Sequence, residues 1–267
     1  YKNVELTAKG DNVTYDGKEH TVSGFTGAPE AADFSAIQVG ATGTNAGTYP
    51  AAFPEDAVGT VDANGKYIVT KATDGALVIT PKAVTVNVTG KFTTHVYDGK
   101  AYTAEGFDTD APAGVTVTLA KDKTAYAQRT DAGTTNMGLT RDSFVVTSNN
   151  YDVTIGTVTD GYVTITPVTA EVTVTIVGNH ATVLYNAREH TVQGYTATSS
   201  NPLFNVDTDC TYGQDGPSGE AAKAKAKASG VNVERHEMGL QSRDFVTVSQ
   251  NFQHVTYAVT DGYLDIE

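Results

Sequence analysis

The sequence predicts an all-β protein built from three tandem copies of a small β-sandwich. Three observations predict it. One set of short motifs recurs three times in the same order, apolar and polar residues alternate along much of the chain, and Asp-Gly pairs punctuate the alternating runs.

The repeat is anchored by three markers. Tyr15-Asp16-Gly17-Lys18 recurs as Tyr97-Asp98-Gly99-Lys100 and, altered, as Tyr185-Asn186-Ala187-Arg188. A glycine-aromatic pair follows each: Gly24-Phe25, Gly106-Phe107 and Gly194-Tyr195. Each copy closes on Thr73-Asp74-Gly75, Thr159-Asp160-Gly161 or Thr260-Asp261-Gly262. From Ala51, Met137 and Met238 to these aspartates the distance is 23 positions in every copy, whereas Phe107 to Met137 spans 30 and Tyr195 to Met238 spans 43. The extra length of the third copy therefore lies between Tyr195 and Met238.

The elements follow in order. Val84, Val86 and Val88, and later Val172, Val174 and Ile176, alternate with polar residues, the period of a strand with one buried face. Val, Thr, Tyr and Phe fit such pleated surfaces. Asp-Gly pairs read as tight turns, so Gly75, Gly161 and Gly262 are expected in the left-handed region. Gly17 and Gly99 align with Ala187, which implies no demand for positive φ there. No window keeps a 3.6-residue period, so the alternative of a β-grasp-like repeat lacks its helix; Met137 to Phe144 is the one candidate. The copies meet at Ile79-Thr80-Pro81-Lys82 and Ile165-Thr166-Pro167-Val168. Residues 1–81, 82–167 and 168–267 are thus expected as three domains, and single-proline joints imply an extended, semi-rigid rod.

Composition excludes several function classes. The 267 residues carry 31 acidic and 18 basic side chains, a formal charge of −13, which argues against nucleic acid and against anionic lipid. No apolar run approaches the roughly 18 residues that insertion into a membrane requires. Hydrophobic residues at 39% are enough for a folded chain. Cys210 is the single cysteine, so an intrachain disulfide and a cysteine-rich zinc site are both ruled out. Without an initiator Met or signal peptide, the chain is expected to be a piece of a longer protein and to behave as a monomer.

Catalytic chemistry finds little support. No Gly-x-Ser-x-Gly elbow, cysteine nucleophile signature or phosphate-cradling loop is present, so the reading is non-enzymatic and without a cofactor. The six histidines show no metal-binding spacing, and His20 and His190 share one repeat position as amphipathic surface rings. Tyr15, Tyr97 and Tyr185 read as packing tyrosines. Asp207, Asp209 and Asp215 are weak calcium candidates without the ligand run such loops use. The sharpest feature is Lys223, Lys225 and Lys227 alternating with alanines. A shift of 187 aligns this segment with Ile37 to Gly43, so it reads as a strand with its lysines on one outward face. That strip either guards a sheet edge or meets an acidic partner. The added run then reduces to a loop from Ser199 to Glu220, whose Phe204 and Tyr212 exceed what a spacer needs and join the lysines as candidate ligand contacts.

Tyr-Asp-Gly-Lys, Gly-aromatic, Ala46-Gly47-Thr48-Tyr49, Met137-Gly138-Leu139 and Thr-Asp-Gly before an apolar strand together resemble the tandem Ig-like, Tyr-Asp-Gly-motif repeats of Gram-positive cell-wall-anchored surface adhesins. The resemblance covers essentially the whole chain. It implies a secreted, extracellular stalk of Ig-like domains that projects or contributes to adhesion, with a host glycan, mucin or extracellular-matrix protein as partner. The third copy departs from the pattern at Asn186-Ala187 and at Val233-Glu234-Arg235, which leaves open a binding module on that domain. Small-angle scattering should report the maximum dimension of three domains end to end; the dimension of one compact 267-residue globule would overturn the three-domain rod.

Overall fold

The computed structural model describes residues Tyr1–Glu267, and strands supply most of its regular structure. The first copy holds β1 (Lys2–Ala8), β2 (Asp11–Thr14), β3 (His20–Ser23), β4 (Phe25–Thr26), β5 (Gly40–Gly43), β6 (Gly47–Ala51), β7 (Tyr67–Thr73) and β8 (Gly75–Thr80). β1 pairs in parallel with β7 and antiparallel with β4, and β8 pairs in parallel with β2 and antiparallel with β6. β3 and β5 form a separate antiparallel ribbon. Only Lys9-Gly10 separates β1 from β2, and only Asp74 separates β7 from β8. Two long strands therefore run side by side and pass together from one sheet into the next.

Alternation fixes which faces close. Val4, Leu6 and Val69 from the first sheet pack against Phe34 and Ile37 of the connection between β4 and β5. Leu77 and Ile79 of β8 pack with Val22 and Val39 beneath the β3–β5 ribbon, and Phe25 and Phe53 touch both clusters. Burial of such side chains contributes roughly 1.5–3 kcal/mol each, which outweighs the modest strand propensity of any single residue.

The pairing recurs in each copy. In the second, Lys82–Gly90 lies parallel to Tyr151–Thr159 and antiparallel to Phe107–Thr109, while Tyr162–Thr166 lies between Phe92–Val96 and Gly133–Asn136. In the third, Val172–Gly178 lies between Tyr195–Ser199 and Val255–Thr260, and Tyr263–Ile266 between His180–Val183 and Arg235–Glu237. Contacts divide the chain into two compact units. One comprises Tyr1–Gly90, Phe107–Ala125 and Gly138–Asp160, and the other Lys91–Gly106, Tyr126–Met137 and Gly161–Glu267. Met137 to Phe144 is not an α-helix: it contains only a 3-10 turn at Arg141–Ser143, so the helix a β-grasp needs is absent there.

The glycine expectations are reversed. Gly17, Gly99 and Ala187 all have positive φ, at 80°, 78° and 61°, so the motif turn does require the left-handed region, and the third copy places alanine there at a cost of about 1–2 kcal/mol. The preceding Asx side chain makes the turn: Asp16, Asp98 and Asn186 accept from the amides of Lys18, Lys100 and Arg188. The same side chains bond His20, Tyr102 and His190, which gives these rings a structural partner in every copy. Those backbone bonds, ahead of the ring bonds, hold the Asp16 and Asp98 carboxyls below the usual carboxylate range.

Gly75, Gly161 and Gly262 have no positive φ; they are glycine because another backbone passes too close. A Cβ at Gly75 would lie 2.6 Å from the Lys9 carbonyl oxygen, and one at Gly161 or Gly262 would meet the sulfur of Met137 at 2.5 Å or of Met238 at 2.6 Å. The aspartate beside each glycine then acts as a clamp. Asp160 accepts from the Gly138 and Leu139 amides, both at 2.9 Å, and Asp261 from those of Gly239 and Leu240 at 2.9 and 2.8 Å. Asp74 accepts from Phe53. The Asp-Gly pair is thus a strand crossing, not a hairpin turn, and its constant distance from Met137 and Met238 follows from the clamp. Replacing Gly161 with Ala should lower stability by about 1–3 kcal/mol through overpacking. Asp160→Ala should cost a similar ~1–3 kcal/mol by stranding two amides. Denaturant unfolding measures both.

Candidate functional site

Two places concentrate chemistry that the sheets alone do not need: the junctions between copies and the added segment of the third copy.

Each junction is built from the same parts. Asn150 accepts from the Ala46 amide through Oδ1 at 2.8 Å and donates through Nδ2 to Asn45 at 3.0 Å. Asn251 accepts from the Ala132 amide at 2.6 Å and donates to Asp131 at 3.0 Å. The backbone carbonyl of each asparagine accepts from the amide that opens its own copy, Lys82 or Val168. The next residue is aromatic and meets the motif tyrosine of the preceding copy edge to face: Tyr151 on Tyr15 at 5.4 Å, and Phe252 on Tyr97 at 5.6 Å between ring centroids. Burial, then the nearby Asp131 and Asp209 charges, push the Tyr97 hydroxyl above its ordinary pKa. Asn251 is only 8% exposed, so its bonds form away from water, where an unmade partner is costly. Tyr15 and Tyr97 therefore pack as expected, whereas the two asparagines escaped the sequence reading. Their signal was available: each lies ten positions before the Asp of Thr-Asp-Gly.

The added segment is not a loop with a lysine-bearing strand. It contains two short helices, α1 (Val206–Asp209) and α2 (Gly219–Lys225), flanking a strand, Cys210–Tyr212, that pairs with Phe245–Thr247. Lys223 and Lys225 lie on α2, and only Lys227 is on the strand Lys227–Gly230. The period-2 pattern misled because Ala and Lys are strong helix formers. Ala222 and Ala226, four positions apart, are both 1% exposed, and Glu220 in the first turn with Lys223 and Lys225 in the last complement the helix dipole. The shift of 187 does hold for the strand itself, since His20 faces Gly43 as His190 faces Gly230.

The three lysines thus do not form one face. Lys223 is tied to Glu220 at 2.9 Å and to Asp207 at 3.3 Å, and these bonds raise its pKa. Lys225 and Lys227 are exposed. Phe204 is 3% exposed and stacks edge to face on Phe252 at 5.1 Å; Tyr212 is half-buried against Phe245. Cys210 is buried beside them, and burial raises its thiol pKa, which disfavours the reactive thiolate. The aspartates are dispersed: Asp207 pairs with Lys223, Asp209 accepts from the Asn205 amide, and Asp215 has φ 56° in a turn. No group of three or more His, Cys, Asp or Glu side chains is placed to hold a metal ion. A cleft of about 440 Å³ opens beside α1, lined by Thr198, Ser199, Asn201, Asn205, Asp207 and Lys223 among others.

No protein-family model matches the chain, and no curated protein matches it. Among solved structures, it is similar to the N-terminal four Ig domains of Dscam1 isoform 9.44, crystallised with zinc, at 9% identity and a TM-score of 0.23, over 99% of this chain and 73% of that one. The same domains of isoform 1.9 are matched at 10% identity and a TM-score of 0.20, over 100% and 73%. The all-β assignment rests on the strand pairing described above. No helix is long and apolar enough to cross a membrane. Because Phe204 is a core side chain, Phe204→Ala should destabilise the third copy by about 3–5 kcal/mol, seen as a lowered thermal unfolding transition.

Proposed function

We propose that this chain is a non-enzymatic, architectural segment of an extracellular adhesin, a spacer of tandem Ig-like repeats that projects or supports adhesion. The observation that carries this reading is the junction. The same asparagine-to-amide bond and the same aromatic pair occur at both joints, so position between neighbours is specified by polar geometry as well as by the connecting proline. The added segment supports it too, since Phe204 leans on Phe252 and Leu203 lies against the Tyr-Asp-Gly turn at Gly99. The cell-wall-anchored, Gram-positive setting is proposed on the motif resemblance, with residues 1–81, 82–167 and 168–267 as the three building units.

A second reading is favoured by one specific observation. The polar cleft beside α1, with exposed Lys225 and Lys227 on the same stretch of chain, suits a glycan or an acidic host protein. A glycan and extracellular-matrix array probed with the full chain separates the two. The spacer reading expects no saturable binding, whereas binding that disappears in Lys225→Glu/Lys227→Glu would establish a ligand site. In parallel, Asn150→Ala and Asn251→Ala should speed hydrogen exchange at Ala46 and Ala132 by about fivefold or more, given about 1–3 kcal/mol for a stranded buried amide, while the strand amides of Val172–Gly178 stay protected.

A further inference from the structure

We propose that the cleft beside α1 binds a neutral, acetamido-bearing sugar through side-chain donors, and not an anion through lysines. A sugar there presupposes that the cleft is a site at all, which is the second of the two readings above. At about 440 Å³ the cleft has the size of a small-ligand pocket.

The turns around the cleft decide which hydrogen-bonding groups it offers. Asn201 Oδ1 accepts from the Leu203 amide at 2.9 Å, and Asn205 Oδ1 accepts from the Asp207 amide at 3.0 Å. Both side-chain oxygens are therefore occupied by backbone. What each asparagine has left is its Nδ2 group, whose two donors have no partner in the chain. Ser199 is arranged the same way: its Oγ accepts from the Asn201 amide at 3.1 Å, and its proton stays available. Three residues of the lining thus offer donors. The acceptor among their neighbours is Asp207 Oδ2, since Oδ1 is engaged by Lys223 at 3.3 Å.

Charge decides against an anionic ligand. Lys223, the lysine of the lining, is paired with both Asp207 and Glu220, so two carboxylates face one ammonium. A carboxylate or sulfate brought there meets that surplus, in a chain that already carries −13, and like charges brought together are costly. A carbonyl oxygen accepts from the same donors without that penalty. Exposed Pro202 adds an apolar wall for a methyl group. An acetamido group supplies carbonyl and methyl together, and a ring hydroxyl of the same sugar donates to Asp207.

Titration of the isotope-labelled full chain with N,N′-diacetylchitobiose, followed by magnetic resonance at the side-chain amides of Asn201 and Asn205, tests this. Those signals should shift saturably. Cellobiose, the same frame with hydroxyl in place of each acetamido group, should bind about fivefold or more weakly, and digalacturonate, an anionic probe, should not saturate. Asn201→Asp and Asn205→Asp keep the oxygen each turn uses and replace the donor by an acceptor, so each should weaken diacetylchitobiose about fivefold or more. Aspartate caps a helix as well as asparagine does, and an unchanged thermal unfolding transition confirms that the fold is kept. Lys225→Glu/Lys227→Glu adds negative charge without touching a donor and should leave this affinity unchanged. Diacetylchitobiose binding that survives both asparagine variants, or cellobiose binding of equal strength, would overturn the proposal. Digalacturonate bound in its stead and released by the double lysine variant would overturn it while keeping the cleft as a ligand site. No saturable shift with any probe would overturn it together with the reading it rests on.

Discussion

The structure depends on two long strands crossing, side by side, from one sheet to the next. At that point the backbones come closer than a side chain permits, so the crossing residue is glycine: Gly75 against Lys9, Gly161 against Lys91 and Gly262 against Asn179. The crossing also interrupts the ladder, which leaves amides in the neighbouring segment without a strand partner. The aspartate beside the glycine answers that need, binding the amides of Gly138 and Leu139 or of Gly239 and Leu240. Charge-assisted bonds to backbone amides are among the stronger ones available to a carboxylate. One dipeptide thus allows the approach and fastens the segment it displaces.

Much of this architecture is legible from periodicity alone. Val172, Val174 and Ile176 are all fully buried, as their alternation requires, and so are Leu77, Ile79, Val163 and Ile165. What periodicity cannot show is why a glycine is present. Positive φ and close approach leave the same letter in the sequence, so Gly99 and Gly161 exchange explanations once their surroundings are known. The Ala-Lys run fails for a related reason. Its spacing satisfies a strand, but Ala222 and Ala226 are also one helical turn apart, and small residues let a short helix sit against a core already holding Phe204, Phe245 and Phe252. The junction asparagines were missed because a surface asparagine before an aromatic carries no message until its partner, a backbone amide some hundred positions away, is located.

At both joints the same side chains match one copy to the next. The Tyr-Asp-Gly tyrosine and the Ala-Gly-Thr turn serve the copy that follows, while the Asn-aromatic pair serves the copy that precedes. The second copy therefore carries both halves of a joint, and its motif tyrosine, which looks internal, packs against the third copy. The third copy keeps the motif turn through Asn186 and Ala187 and keeps its own strand pairing although Val233-Glu234-Arg235 replaces Ala-Gly-Thr. His180–Val183, Tyr263–Ile266 and Arg235–Glu237 still form the sheet seen in its siblings. Arg235 even adds a bidentate bond to Asp265 there, at 2.8 Å in both arms, and holds the Asp265 carboxyl below the usual range.

The added segment can be weighed in the same terms. A segment selected for a ligand displays its aromatic and cationic groups; one selected for support buries them. Phe204 is in the core, Tyr212 leans on Phe245, and Lys223, the lysine nearest the cleft, is already neutralised by Asp207 and Glu220. Only Lys225 and Lys227 remain in solvent. The apolar part of the insertion is spent on Phe252 and, through it, on Tyr97, the aromatic contact that joins the second and third copies. Packing at the joint thus accounts for Phe204, and packing on Phe245 for Tyr212, the two aromatics that exceed what a spacer loop needs.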